Sequence, residues 1–80
     1  MIAKGTRVKL TAVCRSGVVA DMILNVEDGT HSSMKRDILL ENIDSGLYVH
    51  SYDKHGYILA VRKGKRTYIL PCVLNEGDFL

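Results

Sequence analysis

The sequence predicts an all-β fold, a small barrel of five to six short strands with one or two short helical or 3₁₀ turns. Three observations carry that expectation: apolar and polar side chains alternate with a period of two over much of the chain, glycine-bearing turn pairs recur at short intervals, and no stretch holds a long helical pattern. With 80 residues, 46% apolar and 25% charged, residues 1–80 make one small domain. Such a chain buries only about 60 to 65% of the surface its unfolded form exposes, which leaves no room for a second core.

In chain order, residues 7–13 place Val8, Leu10 and Ala12 on one side and Arg7, Lys9 and Thr11 on the other, the pattern of a half-buried strand. Ser16-Gly17 reads as a turn, and Val18 to Val26 reads as a second strand, apolar on both faces in its first half and therefore central. Asp28-Gly29 is the pair best suited to a tight hairpin turn, with a short strand from Thr30 to Met34 after it. "KRDILLENI" at 35–43 fits one helical or 3₁₀ turn through Ile38, Leu39 and Ile43, and Asp44-Ser45-Gly46 breaks the chain. "LYVHSY" at 47–52, "YILAVR" at 57–62 and "RTYIL" at 66–70 are rich in β-branched and aromatic residues and form a meander. Its turns are Asp53-Lys54-His55-Gly56 and Lys63-Gly64-Lys65; Pro71 should stop it, with a single helical turn in "PCVLNEG" behind.

The two halves resemble each other. Shifted by about thirty-nine positions, Val8, Leu10, Gly17 and Val18 fall on Leu47, Val49, Gly56 and Tyr57, which reads as half-repeats over 7–44 and 47–78. "KGTRVKLTA", "GVVADMI" and "YILAVRKGKRTYILPCVLNE" together resemble the strand order of Src homology 3-like small barrels, in which a 3₁₀ turn precedes the last strand. The likeness is to a fold that hosts many functions, and it implies a binding role over a catalytic one. With no Trp in the chain, recognition of proline-rich ligands is not implied.

Composition narrows the function. The longest apolar stretch, Val18 to Leu24, is interrupted by Asp21 and far shorter than the ~18 to 20 residues that span a bilayer. The basic N-terminal residues Lys4, Arg7 and Lys9 precede no signal-type apolar run, so a cytoplasmic protein without membrane attachment is expected. Cys14 and Cys72 form no metal-type or redox-type pair and read as two reduced thiols beside the core, with a disulfide between them as the alternative. His31, His50 and His55 match no compact zinc spacing together with these cysteines, and no glycine-rich phosphate loop is present, so neither metal nor cofactor is expected. Cys14, His50 or His55, and Asp53 supply the residue types of a nucleophilic triad without its local signature, and the chain is read as non-enzymatic.

Net charge is only +2, so a basic surface must come from local clustering. "RKGKR" supplies one: Arg62, Lys63, Lys65 and Arg66 surround a glycine at a hairpin tip, where they can follow a phosphate backbone, with Tyr57 and Tyr68 on the joined strands as stacking surfaces. The expectation is a small intracellular module that binds nucleic acid through this hairpin. The alternative is a protein-interaction or inhibitor module, homodimeric or bound to a host protein through Tyr48, Tyr52 and Phe79, of the kind phage and plasmid accessory proteins provide.

Overall fold

The computed structural model describes residues 1–25 and 34–80. Helix α1 (Ala12–Asn25) and helix α2 (Arg36–Asn42) come first, followed by strands β1 (Tyr48–Asp53), β2 (Gly56–Lys63) and β3 (Arg66–Leu74) and a 3₁₀ turn at Glu76–Asp78. The strands form one open antiparallel sheet in the order β1-β2-β3. The fold is therefore α+β. It is not the expected five- to six-stranded barrel, and the likeness to Src homology 3-like barrels is not borne out, because the first half of the chain supplies helices where that fold needs strands.

Helix α1 takes up the end of the strand expected over 7–13 and the described part of the one expected over 18–26; Val26 lies outside the described residues. The Thr11 hydroxyl accepts a hydrogen bond from the Cys14 amide at 3.2 Å, and the Thr11 carbonyl accepts one from the Arg15 amide at 2.8 Å, so Thr11 caps the helix. From that start, Cys14, Val18 and Met22 recur every four residues. Val18 and Met22 are buried at 6% and 2% exposure, and Cys14 is half-buried beside them. Valines and a central glycine are poor helix formers, but burial of an apolar stripe outweighs propensity. Ser16 and Gly17, expected as a turn, lie exposed in mid-helix.

Of the strand expected over 7–13, two isolated antiparallel bridges remain, Arg7 with Tyr48 and Leu10 with Phe79. The alternation there still reports burial correctly: Val8 and Leu10 are buried while Arg7 and Lys9 are exposed. The expected Asp28-Gly29 turn and residues 30–33 of the next strand lie outside the described residues. Met34 is not in a strand, although its amide donates to the Ile69 carbonyl at 2.9 Å along the outer edge of β3.

The helical turn expected at 35–43 is α2, which buries Ile38 and Leu39. The meander expected in the second half is also present as β1, β2 and β3. β3 does not stop at Pro71 as expected. Its register against β2 passes from Ala60–Ile69 to Ile58–Val73, so Pro71 falls in a bulge on an edge strand, where its missing N–H costs no ladder bond. The tail turn consequently starts later, at Glu76, with the Asn75 amide donating to the Asp78 carboxylate at 2.9 Å. Residues 7–44 contribute helices and 47–78 contribute strands, so the apparent half-repeat has no structural counterpart.

The helices cover one face of the sheet. Val49, Leu59, Val61, Leu70 and Leu74 share a core with Val18, Met22, Met34, Ile38, Leu39 and Ile43. Leu39, Leu47, Val49 and Leu59 are fully buried at 0% exposure. Val8 and Leu10 close the same core from the N-terminal segment.

Candidate functional site

Strand pairing assigns every side chain of the basic hairpin to a face. Lys63 pairs with Arg66, leaving Gly64 and Lys65 as a two-residue loop, and Gly64 takes φ +62°, the left-handed conformation a tight hairpin requires at that position. Val61 and Tyr68 are partners on the helix side, as are Lys63 and Arg66; Arg62 and Thr67 point to the opposite face. All four basic side chains are exposed. Lys63 reaches Glu41 on α2 at 3.4 Å, a solvent-exposed pair. Among the described residues, Arg62, Lys65 and Arg66 form no ion pair.

The tyrosines expected beside the hairpin are placed differently. Tyr57 is buried at 5% exposure, at the far end of β2 from the tip. Its hydroxyl donates to the Glu76 carboxylate and accepts from the Ile2 amide at 3.0 Å, while its ring packs edge-on against Tyr52 and Phe79, with centroids 5.6 Å away in both cases. Tyr57 therefore has no ring face to offer a ligand. Tyr68 is half-buried against the core on the helix side.

Two of the three residues considered for protein contacts are also drawn inward. Phe79 packs against the core and Tyr57, and the Tyr52 hydroxyl donates to the Ile2 carbonyl at 2.6 Å. Lys4 sits 5.7 Å above the Tyr52 ring. Tyr48 differs from both. Its neighbour Val49 points into the core, so Tyr48 points to the face turned away from the helices.

That second face has its own composition. One row across the sheet runs Arg7, Tyr48, Ala60, Ile69, from the bridge at Arg7 through the two ladders. A second row holds Ser51, Ile58 and Val73, and a third, toward the hairpin tip, holds Arg62 and Thr67. Between Val49 and Ser51 the register of β1 shifts, leaving His50 as a bulged residue. Its Nδ1 lies 3.0 Å from the Ser51 hydroxyl, which places the imidazole on the same face. Sequence did not place Arg7 and His50 beside Tyr48: Arg7 joins the face only through a bridge across forty-one positions (48 − 7), and His50, weighed there only as a metal ligand or triad histidine, reaches it through a bulge that carries no local signature.

Between α1 and β3 lies an open groove of about 380 Å³ lined by Cys14, Gly17, Val18, Asp21, Cys72 and Leu74. Both cysteines are free thiols. Burial, reinforced by the Asp21 carboxylate, pushes Cys72 up to about 11, and burial with Asp78 nearby raises Cys14. Neutral thiols in such surroundings are poor nucleophiles. His50 is exposed on β1 and His55 in the β1–β2 turn, His31 lies outside the described residues, and among the described residues no three His, Cys, Asp or Glu side chains converge on a point. No described helix is long and apolar enough to cross a membrane.

Comparisons with protein-family models, with curated proteins and with solved structures find no significant match to this chain.

Proposed function

We propose that the protein is a small, non-catalytic, intracellular module that binds nucleic acid through the β2–β3 hairpin. What carries the reading is the tip itself: Arg62, Lys63, Lys65 and Arg66 stand exposed around a two-residue turn, and among the described residues only Lys63 is engaged in an ion pair, with a solvent-screened partner. Cations displayed on both sides of a projecting hairpin can neutralise successive phosphates, each contact releasing counterions. The intracellular setting is supported by two unpaired thiols in a chain small enough to benefit from a disulfide.

Titration of labelled oligonucleotides at low and near-physiological salt, with a Lys63→Glu, Lys65→Glu variant alongside, tests the proposal. Affinity should fall steeply with salt and fall again in the variant. An absence of binding at low salt would overturn it. The protein-interaction alternative is the weaker one, because Tyr52 and Phe79 are committed to the fold.

A further inference from the structure

The sheet face turned away from the helices carries a chemistry that the hairpin alone does not. Tyr48 stands half-exposed in the middle of β1's row, flanked across the edge by Arg7 and diagonally, two residues along β2, by Arg62. Diagonal neighbours on adjacent strands lie about 7–8 Å apart, close to the spacing at which one long side chain can hold a phosphate while the next stacks a base. His50, bulged out of β1 and held against Ser51, adds a second flat ring on the same face. Ala60 is covered by its neighbours at 0% exposure, so the accessible apolar surface of this face comes from Tyr48, Ile58, Ile69 and Val73.

Among the described residues the Tyr48 hydroxyl makes no hydrogen bond, whereas those of Tyr52 and Tyr57 are tied to Ile2. The Arg7 guanidinium is steadied by the Ser45 carbonyl at 2.7 Å, so it is held at the edge of this face without being neutralised. Asp53 sits at the far hairpin, where its carboxylate accepts the His55 amide. Among the described residues, the charged side chains that border the Tyr48 row, Arg7 and Arg62, are therefore positive.

We infer that this face binds single-stranded nucleic acid, with bases stacked on Tyr48 and His50 and the backbone running between Arg7 and the Arg62 end of the hairpin. The inference rests on the nucleic-acid reading above and specifies the strand state and the path. A duplex hides the faces of its bases in its own stack, whereas unpaired bases can be laid on aromatic rings, and an open sheet offers the flat surface for it. The positive border argues for a polyanion over a second copy of this chain, whose identical border would repel it.

The experiment uses the full chain and four probes: a twelve-nucleotide single strand carrying 5-iodouracil, in DNA and RNA form, and the corresponding duplexes. Anisotropy titrations compare the parent with Tyr48→Leu, Tyr48→Phe and Lys63→Glu, Lys65→Glu, each checked for an unchanged circular dichroism spectrum. Single strands should bind at least tenfold more tightly than duplexes. Tyr48→Leu should lose about tenfold, Tyr48→Phe should keep most of the affinity because the ring remains, and photo-crosslinks should map to the peptide that contains Tyr48 and His50. Because the crosslink is read on the parent protein, it decides the site even where a variant fails to fold. Equal binding of single strand and duplex, lost only in the lysine variant and crosslinked only near the tip, would overturn this inference and leave the hairpin reading standing. No binding by any probe would overturn both and direct attention to a protein partner.

Discussion

Arg15 on α1 grips Asp44 in the loop before β1 with two parallel hydrogen bonds, Nε to Oδ1 at 2.8 Å and Nη2 to Oδ2 at 3.1 Å. This fork ties the helix to the sheet on the outside of the molecule. The Arg15 hydrogen bond holds the Asp44 carboxyl below its ordinary range, aided by the Arg15 and Lys9 charges. A carboxylate whose folded pKa is depressed contributes stability that is fully present above the unfolded value of about 3.9 and fades as pH falls through the folded one. Asp44→Asn should therefore melt below the parent at pH 7 in low salt. The two curves should converge as pH falls below about 3.9 and through the folded value, and also at 1 M NaCl, where exposed pairs are screened. A gap that persists under both conditions would assign Asp44 a role other than this pair.

The glycines separate by sign. Gly17 lies in mid-helix with open space where a Cβ would go, so Gly17→Ala should stabilise by about 0.5–1 kcal/mol. At Gly56, φ is +155° and a Cβ would meet the Leu74 carbonyl oxygen at 2.3 Å, so Gly56→Ala should cost more than ~1 kcal/mol. Gly64→Ala has room but a φ of +62°, and should fall between, costing about 1 kcal/mol. Thermal melts of the three variants check the order. The Gly17 result is the sharpest, because a hairpin turn at Ser16-Gly17 would reverse its sign.

That substitution also marks where sequence and structure part. Residues 47–70 were legible because β-branched and aromatic runs separated by Asp-Lys-His-Gly and Lys-Gly-Lys leave a chain little to do but fold back on itself. Residues 12–25 were not, because two periods coexist there. The alternation of Val18, Ala20, Met22 and Leu24 is a strand's, the Cys14, Val18, Met22 stripe is a helix's, and Gly17 favoured the former locally. The cap by Thr11 and the depth of Val18 and Met22 decide for the helix, and only the second of these depends on contacts distant in sequence. At the candidate site the basic tip was readable as a charge cluster. The removal of Tyr57 into the core was not, since its partners Ile2 and Glu76 come from opposite ends of the chain.

Leu59 sits at 0% exposure in the central strand, within the core that the sheet shares with the helices. Leu59→Ala should destabilise by about 2–5 kcal/mol through lost burial and the cavity left behind. Urea unfolding should show a lower midpoint with an unchanged slope. A loss well under 1 kcal/mol would mean that the helices do not pack on this strand.

The two thiols should resist alkylation. With Cys72 raised to about 11 and Cys14 also raised, iodoacetamide at pH 7.5 should label both far more slowly in the folded protein than in urea. Labelling should accelerate as pH rises, Cys14 ahead of Cys72. Because the folded state binds these protons more tightly than the unfolded state, stability should be full below the ordinary thiol pKa of about 8.5 and decline above it. Rapid labelling of Cys72 at neutral pH would contradict its burial.

The bridge between Leu10 and Phe79 bears on how quickly the molecule forms. The Thr11 amide donates to Asp78 and the Leu80 amide to Lys9, so the start of α1 is braced by residues nearly the whole chain away. Hairpins such as β1–β2 and β2–β3 close in about 1–10 μs, whereas joining such distant segments must first overcome the entropy of a loop almost as long as the chain. The sheet would thus assemble early and α1 would settle late. The rate of folding would then answer to mutations in the hairpins, while those at Leu10 and Phe79 would change chiefly how fast the protein comes apart.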